Sequence, residues 1–210
     1  VTDTVDLCLS LLPCDHAMPV CGRITSPFGV RHGKHHYGTD IKLQVGDPVK
    51  CAFAGMVRIS RYHREFGNVI VVRHANGLET LYAHLSQRDV EEGDMVEAGE
   101  VIGLGGSTGR STGSHLHFET RYLGHPIDPQ RIFDVEEGVL RSDSLLVDPE
   151  LFASTVSGTS MALPKSYTVR SGDTLYGISR RTGVSVKSLC RMNRISTHRT
   201  LSVGQRLRTH

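Results

Sequence analysis

Gly67-Asn68-Val69-Ile70-Val71-Val72-Arg73-His74-Ala75-Asn76-Gly77-Leu78-Glu79-Thr80-Leu81-Tyr82-Ala83-His84 is the stretch on which the architecture turns. Gly67 to Arg73 reads as a strand, and so does Glu79 to His84. Between them, Asn76-Gly77 takes the positive φ angles of a tight hairpin turn. The stretch predicts two antiparallel strands. The same rhythm extends outward to Pro48 to Ala54, Met95 to Glu97, Val96 to Val101 and His115 to Arg121. No long amphipathic helix is predicted before about residue 133, so residues 20–133 read as a mainly β domain of antiparallel strands.

Beyond residue 133 the character changes. Residues 134–165 read as a linker, with Ser142-Asp143-Ser144 and the run Ser154 to Ser160. Leu145, Leu146, Leu151 and Phe152 are apolar enough to pack. Residues 166–210 then read strand, helix, helix, strand, a small α+β (βααβ) module. Ser171 or Asp173 can cap its first helix and Ser185 its second. Residues 1–19 show no clear periodicity and stand as an N-terminal segment.

The chain has 210 residues, 38% hydrophobic and 22% charged, an ordinary composition for one medium domain or one plus a small one. No apolar run approaches the roughly 20 residues that cross a bilayer. No signal-peptide pattern is present either. The net charge of +2 conceals an asymmetry. Lys165 to His210 holds ten basic residues and one acid, a net +9, while the rest carries −7. Opposite charges argue for two modules. The basic tail suits an anionic polymer, but its lack of interleaved aromatics argues against nucleic acid. Of the five cysteines, none forms a Cys-x-x-Cys pair, which argues against a thiolate metal site. Cys51 is expected in the core. Cys8 and Cys14 could pair in an oxidising compartment.

Histidines carry the chemistry. His36-Tyr37-Gly38-Thr39-Asp40, Tyr82-Ala83-His84-Leu85 and His115-Leu116-His117-Phe118-Glu119 all fall in the β region. In an extended chain alternate residues share a face, so His36 is expected to point with Asp40 and His115 with His117. Imidazole and carboxylate are the usual zinc ligands beside thiolate. A catalytic zinc takes three of them and keeps a fourth position for water. Four His and one Asp supply three ligands and two further imidazoles for proton transfer. Each motif alone is weak, because a lone strand histidine is more often structural. The three together predict a metal site. The remaining histidines (16, 32, 35, 63, 74, 125, 198 and 210) are read as structural.

With these motifs in view, residues 20–133 resemble the lysostaphin-type, or LytM-type, zinc endopeptidases of bacterial cell wall. The match includes Ser26-Pro27-Phe28-Gly29-Val30-Arg31, His36 to Ile41, Gly46-Asp47-Pro48-Val49, Tyr82-Ala83-His84-Leu85, Ser107 to Gly113, His115 to Glu119 and Ile127-Asp128-Pro129. The resemblance implies one Zn2+ per chain, with His36, Asp40 and His117 as ligands and His84 and His115 as catalytic residues. It implies a secreted hydrolase of peptidoglycan cross-links, active in the cell envelope, periplasmic or extracellular. Relatives that have lost ligands act as non-enzymatic activators of other wall hydrolases; here no ligand is missing. A latent enzyme is a further alternative, with Cys14-Asp15-His16 closing the open metal position. The Gly-rich run Gly103 to Gly113 is read as a groove rim, its glycines admitting substrate backbone.

Residues 166–210 resemble a LysM domain, through Tyr167-Thr168-Val169, Ser171 to Leu175, Thr182-Gly183-Val184, Asn193 and Leu201 to Leu207. The resemblance implies binding of N-acetylglucosamine-containing glycan strands and points to Gly172, Asp173, Thr174, Asn193 and Ile195. Asp173 and Thr174 could equally be helix caps, and Asn193 a turn residue.

Overall fold

The computed structural model describes residues 4–10, 15–31, 33–148, 151–152, 166–170, 172–182, 184, 186–197 and 199–209. In chain order the first strands are β1 (Val5–Cys8), β2 (Ile24–Ser26), β3 (Gly29–Arg31), β4 (Lys34–His36), β5 (Thr39–Lys42) and β6 (Pro48–Lys50). The central hairpins are β7 (Gly55–His63), β8 (Gly67–His74) and β9 (Leu78–Leu85). Then follow β10 (Gln87–Arg88), β11 (Met95–Val96), β12 (Val101–Leu104), β13 (His115–Tyr122) and β14 (His125–Ile127). The remaining strands are β15 (Phe133–Asp134), β16 (Val139–Leu140), β17 (Ser144–Val147), β18 (Ser166–Thr168) and β19 (Arg206–Arg208). Among the described residues, the C-terminal part holds the helices α1 (Leu175–Thr182) and α2 (Val186–Asn193), and Pro129–Arg131 forms a short 3-10 turn.

The main sheet runs β11-β7-β8-β9-β13-β5-β2, with β14 beside β13, and every pairing is antiparallel. Gly77 takes φ +85 in the turn between β8 and β9, but Asn76 keeps a negative φ, so the turn falls where the Asn-Gly signal placed it without the expected pair of positive angles. Alternation sorts the side chains of this sheet into two faces. Ile70, Val72, Tyr82, Leu116 and Phe118 enter the main core. Val69, Val71, Leu81 and Ala83 form a smaller apolar cluster with Ile59 and Phe66. Tyr82 is fully buried; its hydroxyl accepts from Ala52 N at 2.8 Å and lies 2.9 Å from Thr80 Oγ1. Cys51 lies in this core as expected, and burial pushes its thiol up to about 11.

Two expectations are corrected. The linker reading of 134–165 fails over its described part. Val135, Leu140, Leu145, Val147 and Leu151 belong to the main core, because their apolar side chains are buried in the same cluster as those of the sheet. The N-terminal segment is not separate either. β1 pairs antiparallel with β17, and Leu7 and Leu9 join the core. Cys14, and with it the Cys8–Cys14 pairing, lies outside the described residues, as do 153–165.

The C-terminal module has the expected βααβ order. β18 pairs antiparallel with β19, and Val169, Leu175, Ile178, Val184, Leu189, Cys190 and Leu207 form its own core. Thr174, not Asp173, caps α1: its Oγ1 accepts from Gly177 N at 3.0 Å. Ser171 and Ser185 lie outside the described residues.

Candidate metal centre and catalytic cleft

β5 and β13 lie side by side, with Asp40 directly opposite His117. Cross-strand partners bring their side chains into contact, which places these two groups together. His36 arrives differently. It was expected to share an extended strand with Asp40, but β4 pairs with β3 in a separate hairpin and the chain breaks at Tyr37-Gly38. Gly38 permits the break. A Cβ there would meet Phe118 O at 2.6 Å and His117 Cε1 at 2.8 Å. Only glycine lets the chain pass this close to β13, and the passage delivers His36 to His117.

The three candidate ligand atoms form a tight triangle. His36 Nε2 is 3.1 Å from Asp40 Oδ1 and 3.0 Å from His117 Nδ1, and the last two are 2.8 Å apart. Outer partners fix which ring nitrogen carries the proton. His36 Nδ1 donates to Pro27 O at 2.8 Å, and His117 Nε2 donates to Glu119 Oε1 at 2.9 Å. In the neutral rings the inward atoms are therefore lone pairs. Two lone pairs and a carboxylate oxygen meet with no proton among them, an arrangement that calls for a cation. Tetrahedral zinc with ligands at about 2.0–2.1 Å sets them about 3.3 Å apart, close to the spacing here. The donor set fits zinc.

Electrostatics agree. Burial opposes the charge on Asp40, but hydrogen bonds to His117 and His36 hold its carboxyl far below the usual range. Burial would pull His117 down, yet its bonds to Asp40 and Glu119 push it up to about 8. Without metal a proton fills the place that a cation would take. Arg31 reaches the second oxygen of Asp40, Oδ2, at 3.4 Å.

His84 and His115 stand beside this triangle with ring centroids 4.9 Å apart. Each donates its Nδ1 hydrogen to a backbone carbonyl: His84 to Thr108 O and His115 to Gly113 O, both at 2.8 Å. Each neutral ring therefore keeps Nε2 as an acceptor, and His115 Nε2 lies 3.7 Å from Asp40 Oδ1. Burial, with help from the neighbouring His115 and His117, lowers His84 to about 4. His84, the next-to-last residue of β9, takes φ +63, a strained angle for a non-glycine residue.

All five expected residues line one cleft, together with Arg31, Tyr37, Glu65, Phe66, Arg110 and Thr112. The sequence reading left out Glu119 as the partner of His117. Alternation carried the signal, since residues 117 and 119 share a face of β13. Gly106 and Gly109 of the rim loop are required by the loop's own packing, whereas a Cβ at Gly113 would meet nothing within 4 Å. A Cβ at Gly106 would meet Ser86 N at 2.4 Å, and one at Gly109 would meet Gly67 N at 2.2 Å. Gly106 and Gly109 thus seat the loop on its own protein. The described part of the N-terminal segment stays out of the cleft: His16 Nδ1 contacts Ser10 Oγ at 3.3 Å. The other described histidines have structural contacts. His74 bonds Ala54 O and Thr80 Oγ1, His63 receives the amide of Glu65, His35 stacks on Tyr37, and His125 packs on Phe152. His32, His198 and His210 lie outside the described residues.

In the C-terminal module the polar candidates are engaged internally. Asp173 accepts from Tyr167 Oη at 2.8 Å and Arg170 N at 2.7 Å. Asn193 ties Leu189 O to both the carbonyl and the amide of Arg208. Ile195 packs on the module's core, while Gly172 is exposed.

Comparison with known proteins follows the same division. The profile of peptidase family M23 matches residues 34–129, and that of the LysM domain matches residues 167–209. The DD-carboxypeptidase/endopeptidase Mpg of Neisseria meningitidis serogroup B is 47% identical over 113 residues, 51% of this chain and 26% of that protein. The peptidoglycan DD-endopeptidase ShyA of Vibrio cholerae serotype O1 is 42% identical over 96 residues, 46% of this chain and 22% of that protein. A crystallised zinc-containing peptidase from Vibrio cholerae superposes with a TM-score of 0.52 at 34% identity, over 60% of this chain and 40% of that one. The chain spans about a quarter of the length of the curated relatives it matches. The mainly β architecture, the histidine cleft and these matches together establish that the chain carries a peptidase family M23 domain followed by a LysM domain.

Proposed function

We propose that the protein is a zinc endopeptidase that hydrolyses peptide cross-links of bacterial peptidoglycan in the cell envelope, with the LysM domain holding it to glycan strands. The observation that carries this reading is the triangle of His36, Asp40 and His117, whose inward atoms are all acceptors. The names of the similar proteins, DD-endopeptidases among them, support the substrate class. No helix among the described residues is long and apolar enough to cross a membrane.

When bound, zinc supplies Lewis acidity and a water acidified towards a pKa of about 7. The residues of the chain do the rest. His36, Asp40 and His117 hold the ion, and Glu119 orients His117. His84 and His115, each fixed through Nδ1, offer Nε2 to the reacting groups. One takes the proton of the attacking water; the other hydrogen-bonds the developing oxyanion or protonates the leaving amine. The intact set of five side chains supports this reading over that of a non-enzymatic activator. The placement of His16 away from the cleft speaks against latency.

Digestion of purified sacculi with mass analysis of the fragments tests the proposal. Wild type is expected to release uncross-linked muropeptides, and zinc-stripped protein and His84→Ala are not. No release by zinc-loaded wild type from any of several wall types would move the reading to an activator.

A further inference from the structure

Two arginines line the metal cleft, and their states differ. The Arg31 guanidinium is engaged by Asp40 and Ser26. Arg110 is exposed, and among the described residues its guanidinium pairs with no carboxylate. Its backbone is nevertheless fixed. Arg110 N donates to Glu65 O at 2.8 Å, and Gly109, at φ +71, packs on Gly67. Thr108 Oγ1 ties the same loop to Leu85 O and Asn68 N. The loop also positions both proton-transfer histidines, through Thr108 O and Gly113 O. Arg110 lies between these two anchors. A free cation is thus held on the loop that serves the histidines expected to handle the leaving amine.

Amide hydrolysis adds water across the C–N bond, leaving a carboxyl on one side and an ammonium on the other. Substrates of this class differ in what the leaving nitrogen's carbon carries. In a direct cross-link between a D-alanyl carbonyl and the D-centre of a diamino acid, that carbon bears a free carboxylate. In a glycine bridge the same carbon leads on to another amide. A guanidinium fork matches a carboxylate with two parallel hydrogen bonds. We propose that Arg110 is the specificity-determining residue of the cleft: its guanidinium binds the carboxylate beside the scissile nitrogen and selects direct cross-links over glycine bridges. A chain end closing in D-alanyl-D-alanine presents the same carboxylate and meets the same selection. This inference rests on the endopeptidase reading and names the substrate within it.

The test uses two soluble cross-linked muropeptide dimers, identical except that one is amidated at the carboxyl beside the scissile nitrogen. Full-length zinc-loaded wild type is expected to favour the free carboxylate by about tenfold to a hundredfold in kcat/KM, the range of a charge-assisted contact. Arg110→Gln is expected to bring the two rates within about threefold, and Arg110→Lys, a point charge without the fork, to keep part of the preference. Binding of the two dimers to zinc-stripped protein is expected to show the same ranking in Kd. An unchanged ratio in Arg110→Gln, or no preference in wild type, would overturn the assignment alone. Cleavage of neither dimer by wild type would overturn the endopeptidase reading and the assignment with it.

Discussion

His84 is held in left-handed backbone geometry at a cost of about 1–2 kcal/mol, and Thr108 O and Phe66 O secure it there. Strain of this kind persists where neighbours over-determine a residue. Removing the ring should expose its role directly. His84→Ala is expected to lower kcat about 10²- to 10⁴-fold and leave zinc content unchanged, measured by metal analysis beside kinetics. The low affinity of His84 for protons makes a second prediction. Its ring stays neutral down to about pH 4, so protonation of His84 does not account for a loss of activity below roughly pH 5–6, which is expected instead from protons competing with zinc for the ligands. That acid limb should move to lower pH as free zinc is raised; a limb that ignores zinc would assign it to proton transfer instead. The same shift bears on stability. The unfolded imidazole titrates near 6.5 and the folded one near 4, so in metal-free protein this contribution to stability is lost as pH falls through that window. At this scale the sequence disclosed much. Alternation alone paired His115 with His117, but the proton positions needed Pro27 O and Glu119, and Pro27 O is a backbone partner that no motif announces.

Among the elements, β4 and β5 carry the sharpest lesson. The spacing of His36 and Asp40 was right for a shared site and wrong for the path between them. The turn at Gly38 is a matter of clearance against β13, which pattern reading does not measure. Gly38→Ala is expected to cost about 1–3 kcal/mol by overpacking and to weaken zinc binding, read as a lower melting temperature and lower metal content. β7 escaped notice for a different reason. Its exposed end, Arg61 to His63, carries no alternating pattern, and pairing with β8 holds it in the sheet. β1 had too little periodicity to read, yet Leu7 and Leu9 are each buried, worth about 1.5–3 kcal/mol apiece. Deleting residues 1–19 is therefore expected to lower the melting temperature without raising activity. A gain in activity would restore the latent reading.

For the whole molecule, charge and modularity matter most. The segment from Lys165 to His210 carries +9, against −7 for the rest. On the proposed reading, a weak glycan binder on the same chain would raise the local concentration of the cleft at an insoluble substrate. Deleting residues 166–210 is expected to slow digestion of intact sacculi and leave hydrolysis of a soluble cross-linked dimer unchanged. Binding of the full chain to sacculi should weaken with salt, because exposed charges are screened over about 8–10 Å at moderate ionic strength. Salt-independent binding would remove the electrostatic part of this account. The two-module plan was legible from composition and motif text. The extent of the first module was not, because residues 134–152 look like linker until their apolar side chains are seen against the sheet.

The most direct measurement is titration of zinc-stripped protein with zinc, following hydrolysis of a soluble cross-linked dimer at each addition. Activity is expected to rise in proportion to metal and to level off at one equivalent, with His117→Ala giving no rise. Full hydrolysis before any metal is added, or a plateau well away from one equivalent, would contradict a single zinc held by His36, Asp40 and His117.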